Sequence, residues 1–119
     1  MQTRQIPLSD WRRTLDDLSR SFSGALVSLE VAGGEVGAEE EVRDQPFRGM
    51  TSDRTGVTVQ IEKSSLHLDH RIAHPQKLRI VESDEGALVA VEIEDNGGVQ
   101  HLVRFASPSR AEIFDPAVE

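Results

Sequence analysis

Residues 9–31 read SDWRRTLDDLSRSFSGALVSLEV, and the spacing of their apolar side chains changes near Gly24. The large apolar residues before Gly24 recur every three or four positions: Trp11, Leu15, Leu18 and Phe22. That period is typical of an α-helix with one apolar face. The residues after Gly24 alternate between apolar and polar, as in the series Val27, Leu29 and Val31. The stretch therefore predicts a helix from about residue 9 to residue 23, followed by a β-strand.

The alternating pattern continues to Phe105 in short runs that are separated by turn signals. Asp95–Gly98 contains Asn-Gly-Gly between two alternating runs, which is typical of a β-hairpin. No connection is long enough to carry a crossover helix, so antiparallel pairing is favoured. We predict an α+β fold, in which an N-terminal amphipathic helix packs on a curled antiparallel meander of six or seven strands. Residues 1–105 are expected to form this single domain, and residues 106–119 a polar, partly mobile C-terminal tail.

Composition narrows the classes of function. The chain has 119 residues, no cysteine and a formal net charge of −8. The absence of cysteine excludes disulfides and thiolate metal sites. The negative charge disfavours binding to nucleic acid and to anionic lipid surfaces. No apolar run approaches a membrane span, and the first residues lack the apolar core of a signal peptide. We therefore expect a cytoplasmic protein with neither a membrane nor a nucleic-acid partner.

The order of these features resembles a known family. The matching residues are Trp11 near the start of the helix, Leu29 and Val31 in the first strand, then Leu68-x-His70-x-Ile72-x-x-Pro75, Glu85-Gly86, the pair Val91 and Ile93, and a terminal Leu102-Val103-Arg104-Phe105. The pattern resembles a family of short bacterial proteins that is known only as a domain of unknown function. The resemblance covers about residues 5–105 and implies a complete domain. It implies no activity, cofactor or site residue.

Two histidines lie on faces that are predicted to point inward. His70 alternates with Leu68 and Ile72, and His101 lies on the side of Val103. Glu40 also falls on a predicted inward face. If their strands are neighbours, His70, His101 and Glu40 form a polar pocket, and we name them as candidate ligand-binding residues. The alternative is a structural network that satisfies buried polar groups.

Other polar clusters give weaker indications. His67 and His70 point to opposite faces of a strand, so the group His67, His70 and His74 is not spaced to bind a metal. The acidic run Glu39–Glu41 also alternates between faces and lacks the spacing of a calcium loop. No nucleophile elbow or phosphate loop is present. The sequence therefore predicts no catalytic residue, no metal site and no cofactor.

The sequence favours a non-catalytic binding or regulatory module, either a homodimer or bound to a protein partner. An edge-like acidic strand at 35–43 indicates strand addition, and Phe47 and Met50 are candidate partner-contact residues. Burial of both side chains beneath their loop is the other interpretation. The alternative function is a small metal- or ligand-binding enzyme that uses His70, His101 and Glu40. A third hypothesis is an acidic accessory protein that binds a basic partner.

Overall fold

A computed structural model describes residues 1–34 and 37–106 of the chain. It contains one α-helix, which is preceded by a single 3-10 turn, and eight β-strands. The elements are β1 (Gln2–Gln5), α1 (Trp11–Phe22), β2 (Leu26–Gly33), β3 (Gly37–Asp53), β4 (Gly56–Lys63), β5 (Leu66–Ala73), β6 (Pro75–Glu82), β7 (Leu88–Asp95) and β8 (Gln100–Phe105).

All eight strands belong to one antiparallel sheet with the order β1-β6-β7-β8-β2-β3-β4-β5. Two meanders, β2 to β5 and β6 to β8, are joined because β8 pairs with β2. The chain passes from β5 to β6 through His74 alone, yet these two strands do not pair. The sheet therefore curls back on itself and leaves a seam between β5 and β6.

The long strand β3 changes partner along its length. Its first part, Gly37 to Pro46, pairs with β2, and its second part, Phe47 to Asp53, pairs with β4 on the opposite edge. The register of β3 shifts within each ladder, which identifies β-bulges. The strand bends at these bulges, because a bulge increases local twist. This bend turns β4 and β5 towards the inner face of the other strands.

Helix α1 covers the edge of β3 that β2 leaves unpaired. The Ser19 hydroxyl accepts a hydrogen bond from the Met50 N–H at 2.8 Å and lies 2.9 Å from the Met50 carbonyl oxygen. Backbone polar groups of β3 are thereby satisfied by a side chain instead of a strand. The apolar face of the helix is buried in the core, where Phe22 and Phe47 both contact the Phe105 ring at centroid distances of 5.3 and 5.4 Å.

The predicted fold class is wrong in two respects. Most described residues lie in strands, and the sheet has eight of them, so the fold is mainly β with one short helix rather than α+β. The strand order is also not a simple meander, because β8 returns to β2 and β1 pairs with β6. The apolar stripe of the helix is nevertheless present, since Trp11, Leu15, Leu18 and Phe22 are all buried.

Two segments differ from the strands that the sequence predicts. Gln2–Gln5 is polar and mostly exposed at the sheet's edge, so it lacks the alternating apolar pattern that marks a strand. The sequence of residues 44–56, which is punctuated by Pro46, Gly49 and Gly56, predicts one short edge strand plus a loop. Residues 44–53 instead continue β3, because the bulges accommodate the irregular residues without ending the ladder.

The predicted C-terminal tail lies outside the described residues, apart from Ala106. Within residues 1–34 and 37–106, the helix is too short and too polar to cross a membrane.

Replacing Ser19 with alanine tests whether α1 caps the edge of β3. We expect Ser19→Ala to lower the free energy of unfolding by about 1–2 kcal/mol, because the part-buried Met50 N–H loses its partner. Chemical denaturation would measure the change. The matched control is Ser9→Ala, at an exposed serine that makes no capping bond in the turn before α1, and it should shift stability by less than about 0.5 kcal/mol. Equal losses for the two variants would contradict the capping role.

Candidate functional site

Three side chains form a hydrogen-bonded row across the inside of the sheet. His70 Nε2 lies 2.9 Å from His101 Nδ1, and His101 Nε2 lies 3.0 Å from Asp95 Oδ2. His70 belongs to β5, whereas His101 belongs to β8, and these strands do not pair. The row, which we call the histidine bridge, therefore joins two strands that share no backbone ladder.

The β7–β8 turn holds the carboxylate end of the bridge. Asp95 Oδ1 accepts hydrogen bonds from the Gly97 and Val99 N–H groups at 2.9 and 3.1 Å. The Asn-Gly-Gly sequence permits this tight turn, in which Gly98 has a φ of +81°. Because Oδ1 is occupied by the turn, Oδ2 is directed to His101. The turn thus fixes the position of the imidazole.

The partners determine the tautomer of each ring. A carboxylate only accepts hydrogen bonds, so His101 Nε2 carries the proton that Asp95 accepts. Neutral His101 then has a lone pair on Nδ1, which accepts the proton of His70 Nε2. His70 is left with a lone pair on Nδ1, so this atom is the part of the bridge able to bind a further proton or accept a further hydrogen bond.

Burial and neighbouring charge act on the ends of the bridge in different ways. The pKa of His70 is lowered, mainly because burial disfavours the imidazolium and also because His101 is close, while Glu41 partly opposes both effects. Burial acts to raise the pKa of the Asp95 carboxyl, but hydrogen bonds from His101 and from the Val99 and Gly97 N–H groups outweigh it and lower that pKa. The surroundings thus favour the neutral ring of His70 at one end of the bridge and the ionised carboxylate of Asp95 at the other.

A second contact fastens β5 beside the bridge. The Asn96 N–H donates a hydrogen bond to the His74 carbonyl oxygen at 3.0 Å. His74 has a φ of +52°, an uncommon conformation for a residue with a side chain. Strand β8 therefore contacts β5 through His101, and the β7–β8 turn contacts the residue after β5 through Asn96. Both contacts hold β5 where no strand pairing does.

The structure brings His70 and His101 together, as their predicted inward faces suggested, but not Glu40. Glu30 pairs with Glu40 while Leu29 pairs with Val42, so β3 carries one extra residue, Glu41, at this bulge. The bulge reverses which side chains face inward. Glu40 shares a face with Glu30 and forms an ion pair with Arg43 at 2.6 Å. The enzyme alternative thus loses its third residue.

The other candidates lie elsewhere. Phe47 and Met50 are both 0% exposed, so neither side chain is available to a partner in this structure. His67 forms an exposed pair with Asp69 at 2.6 Å, away from the bridge.

Sequence reasoning missed Asp95, and the signal that could have identified it is its place at the start of the Asn-Gly-Gly turn. Among residues 1–34 and 37–106, no group of three potential ligands is arranged to hold a metal ion.

Strand β5 also presents an open edge. It ends the strand order and pairs only with β4 in the part of the chain that the structure describes. The β4–β5 ladder runs without interruption from Gly56↔Ala73 to Lys63↔Leu66, with no register shift. Leu66, at the start of β5, is 72% exposed. The result is an eight-residue regular edge that carries an exposed apolar side chain.

Replacing His70 with glutamine tests the electrostatics of the bridge. Because the His70 pKa is lowered from 6.5, the unfolded chain binds more protons than the folded chain below that pH. The stabilising contribution is complete above pH 6.5 and is lost as the pH falls towards the lowered pKa. We expect His70→Gln to reduce proton uptake on unfolding near pH 6 by up to about one proton. Denaturation between about pH 7 and pH 5 measures this. An unchanged pH dependence, or an equal effect of His67→Gln at an exposed histidine, would contradict it.

Comparison with known proteins places the chain in a family without assigning a function. The model of a family of unknown function, DUF5335, matches residues 2–113. An uncharacterised protein from Aquifex aeolicus (strain VF5) is 32% identical over 104 residues, which cover 87% of this chain and 92% of that protein. No solved structure matches. The predicted resemblance to an uncharacterised bacterial family is thereby confirmed: the chain belongs to the family of unknown function DUF5335.

Proposed function

We propose that this protein is a non-catalytic binding module, which binds an extended segment of a protein partner by adding it as a strand to the open edge of β5. The observation that carries the proposal is the uninterrupted eight-residue edge of β5. Its backbone N–H and C=O groups on that side lack a strand partner in the described structure, and such a row can template a further strand.

The other sheet edges are protected in ways that β5 is not. The strand at the opposite end, β1, has only four residues. The second part of β3 is covered by α1 through Ser19. The first part of β3 presents Glu39, Glu40 and Glu41, all exposed, and neighbouring carboxylates discourage strand addition. Short length, a covering helix and like charge are three recognised ways to protect an edge, so β5 stands apart.

The charged side chains of β5 do not obstruct its edge. Arg71 points to the outer face, where its two Nη atoms lie 3.0 Å from the carboxylate oxygens of Asp53. Asp69 pairs with His67 on the same face. These contacts hold the charged groups on the outer face, out of the plane in which a further strand would pair. The net charge of −8 supports a protein rather than a nucleic-acid partner. A cytoplasmic location is part of the same proposal.

Site-specific photo-cross-linking in cells that express the protein tests the proposal. A photoreactive amino acid at position 67, on β5, should yield adducts with an extended protein segment, and the same probe at position 12, on the exposed face of α1, should not. Leu66→Lys should reduce the adducts by half or more, because a lysine on an edge strand opposes strand addition. Mass spectrometry of the adducts identifies the segment.

The matched control is Leu8→Lys. Leu8 is 74% exposed and lies in the turn before α1, so the substitution is the same and the exposure is nearly equal to that of Leu66, but β5 is untouched. The adduct yield should be unchanged in this variant. The proposal is wrong if position 67 gives no more adducts than position 12, or if both lysine variants lower the yield equally.

A further inference from the structure

We propose that the strand added to β5 is β5 of a second copy of this chain, antiparallel to the first, with His70 opposite His70 across a two-fold axis. The inference rests on the proposed function and names its partner. It follows from the order of the charged side chains along β5: in one register, the acidic residue of each copy lies opposite the basic residue of the other.

The balance of charge on β5 favours a second copy at this edge. Two molecules with a net charge of −8 repel each other, and the repulsion is strongest where acidic residues cluster. β5 contains one acidic residue, Asp69, and one arginine, Arg71, so with neutral histidines its formal charge is zero. The open part of β3 has three consecutive glutamates instead. Self-contact is thus less opposed at β5 than at the open part of β3.

Symmetry limits the possible registers. A two-fold axis perpendicular to the sheet keeps each face on its own side, so residues of the same face oppose each other. A register centred on Asp69 opposes two aspartates, and a register centred on Arg71 opposes two arginines, both of which are unfavourable. A register centred on Leu68 shortens the ladder and leaves Arg71 outside it. Centring on His70 opposes Asp69 with Arg71 of the second copy, twice.

The inner face agrees with this register. Leu68 and Ile72 lie two residues on either side of His70, and each would oppose the other type in the second copy. Ile72 is 1% exposed and Leu68 is partly buried against the core, so both already belong to the apolar interior. Cross-strand apolar pairs of this kind stabilise an antiparallel ladder. The two cores would then be continuous through the joined sheets.

Charge exchange between positions 69 and 71 tests the register. Light scattering after size-exclusion chromatography should show the wild-type chain as a dimer across a hundred-fold range of concentration. Asp69→Arg sets two arginines against each other, and Arg71→Asp sets two aspartates against each other, so each variant alone should raise the dissociation constant at least ten-fold. Mixing the two variants restores both opposite-charge pairs and should yield a heterodimer. Asp16→Arg, on the exposed face of α1, makes the same charge change away from β5 and should dimerise like the wild type.

Hydrogen exchange gives a second measurement that needs no variant. In the wild-type chain, the β5 amides that face away from β4 should gain protection as the concentration rises. A wild-type chain that is monomeric throughout, a mixture that fails to form the heterodimer, or single variants that remain dimeric would each overturn the inference. If the wild type is monomeric and the probe at position 67 cross-links another protein, the second copy is excluded and the proposed function stands. Absence of specific adducts from position 67 removes the proposed function itself.

Discussion

Strand β3 exchanges partners along its length, and the arrangement of the other elements depends on that exchange. Its first part pairs only with β2 and its second part only with β4. The backbone N–H and C=O groups along half of each edge therefore have no strand partner. On one side α1 provides the Ser19 hydroxyl, and this contact explains why the helix lies where it does. The bend at the exchange directs β5 towards β8, which makes contact between their inward side chains possible.

The sequence predicts the periodic parts of this fold and misses the places where the period is broken. The stripe from Trp11 to Phe22 and the turn at Asp95 are visible because spacing and turn chemistry are local properties. The bulge at Glu41 is not visible, since the run Glu39–Glu41 offers no glycine or proline to mark it. A single extra residue reverses the faces of the strand, so simple alternation places Glu40 on the inward face, whereas the structure places it on the outer face.

The same limit applies to the candidate site. His70 and His101 could be assigned to inward faces because each alternates with apolar residues, but their contact depends on the curvature of the whole sheet. Asp95 lies at the start of a turn and Glu41 lies at a bulge, and both act on the histidines. At such positions the direction of a side chain is set by backbone geometry rather than by spacing. Phe47 and Met50 lie in an irregular stretch of sequence, yet tertiary packing buries both completely.

The seam between β5 and β6 differs at its two ends, because His74 alone connects the strands at one of them. Consecutive Cα atoms are about 3.8 Å apart, so Ala73 and Pro75 can be separated by no more than roughly 7.6 Å. The two strands are thus tethered at that end, which the Asn96 N–H also holds. At the other end, Leu66 follows the Ser64–Ser65 turn and has no such tether to β6. The β5–β6 seam is therefore closed by the chain itself at the His74 end, whereas at the Leu66 end β5 pairs only with β4 in the described part of the chain.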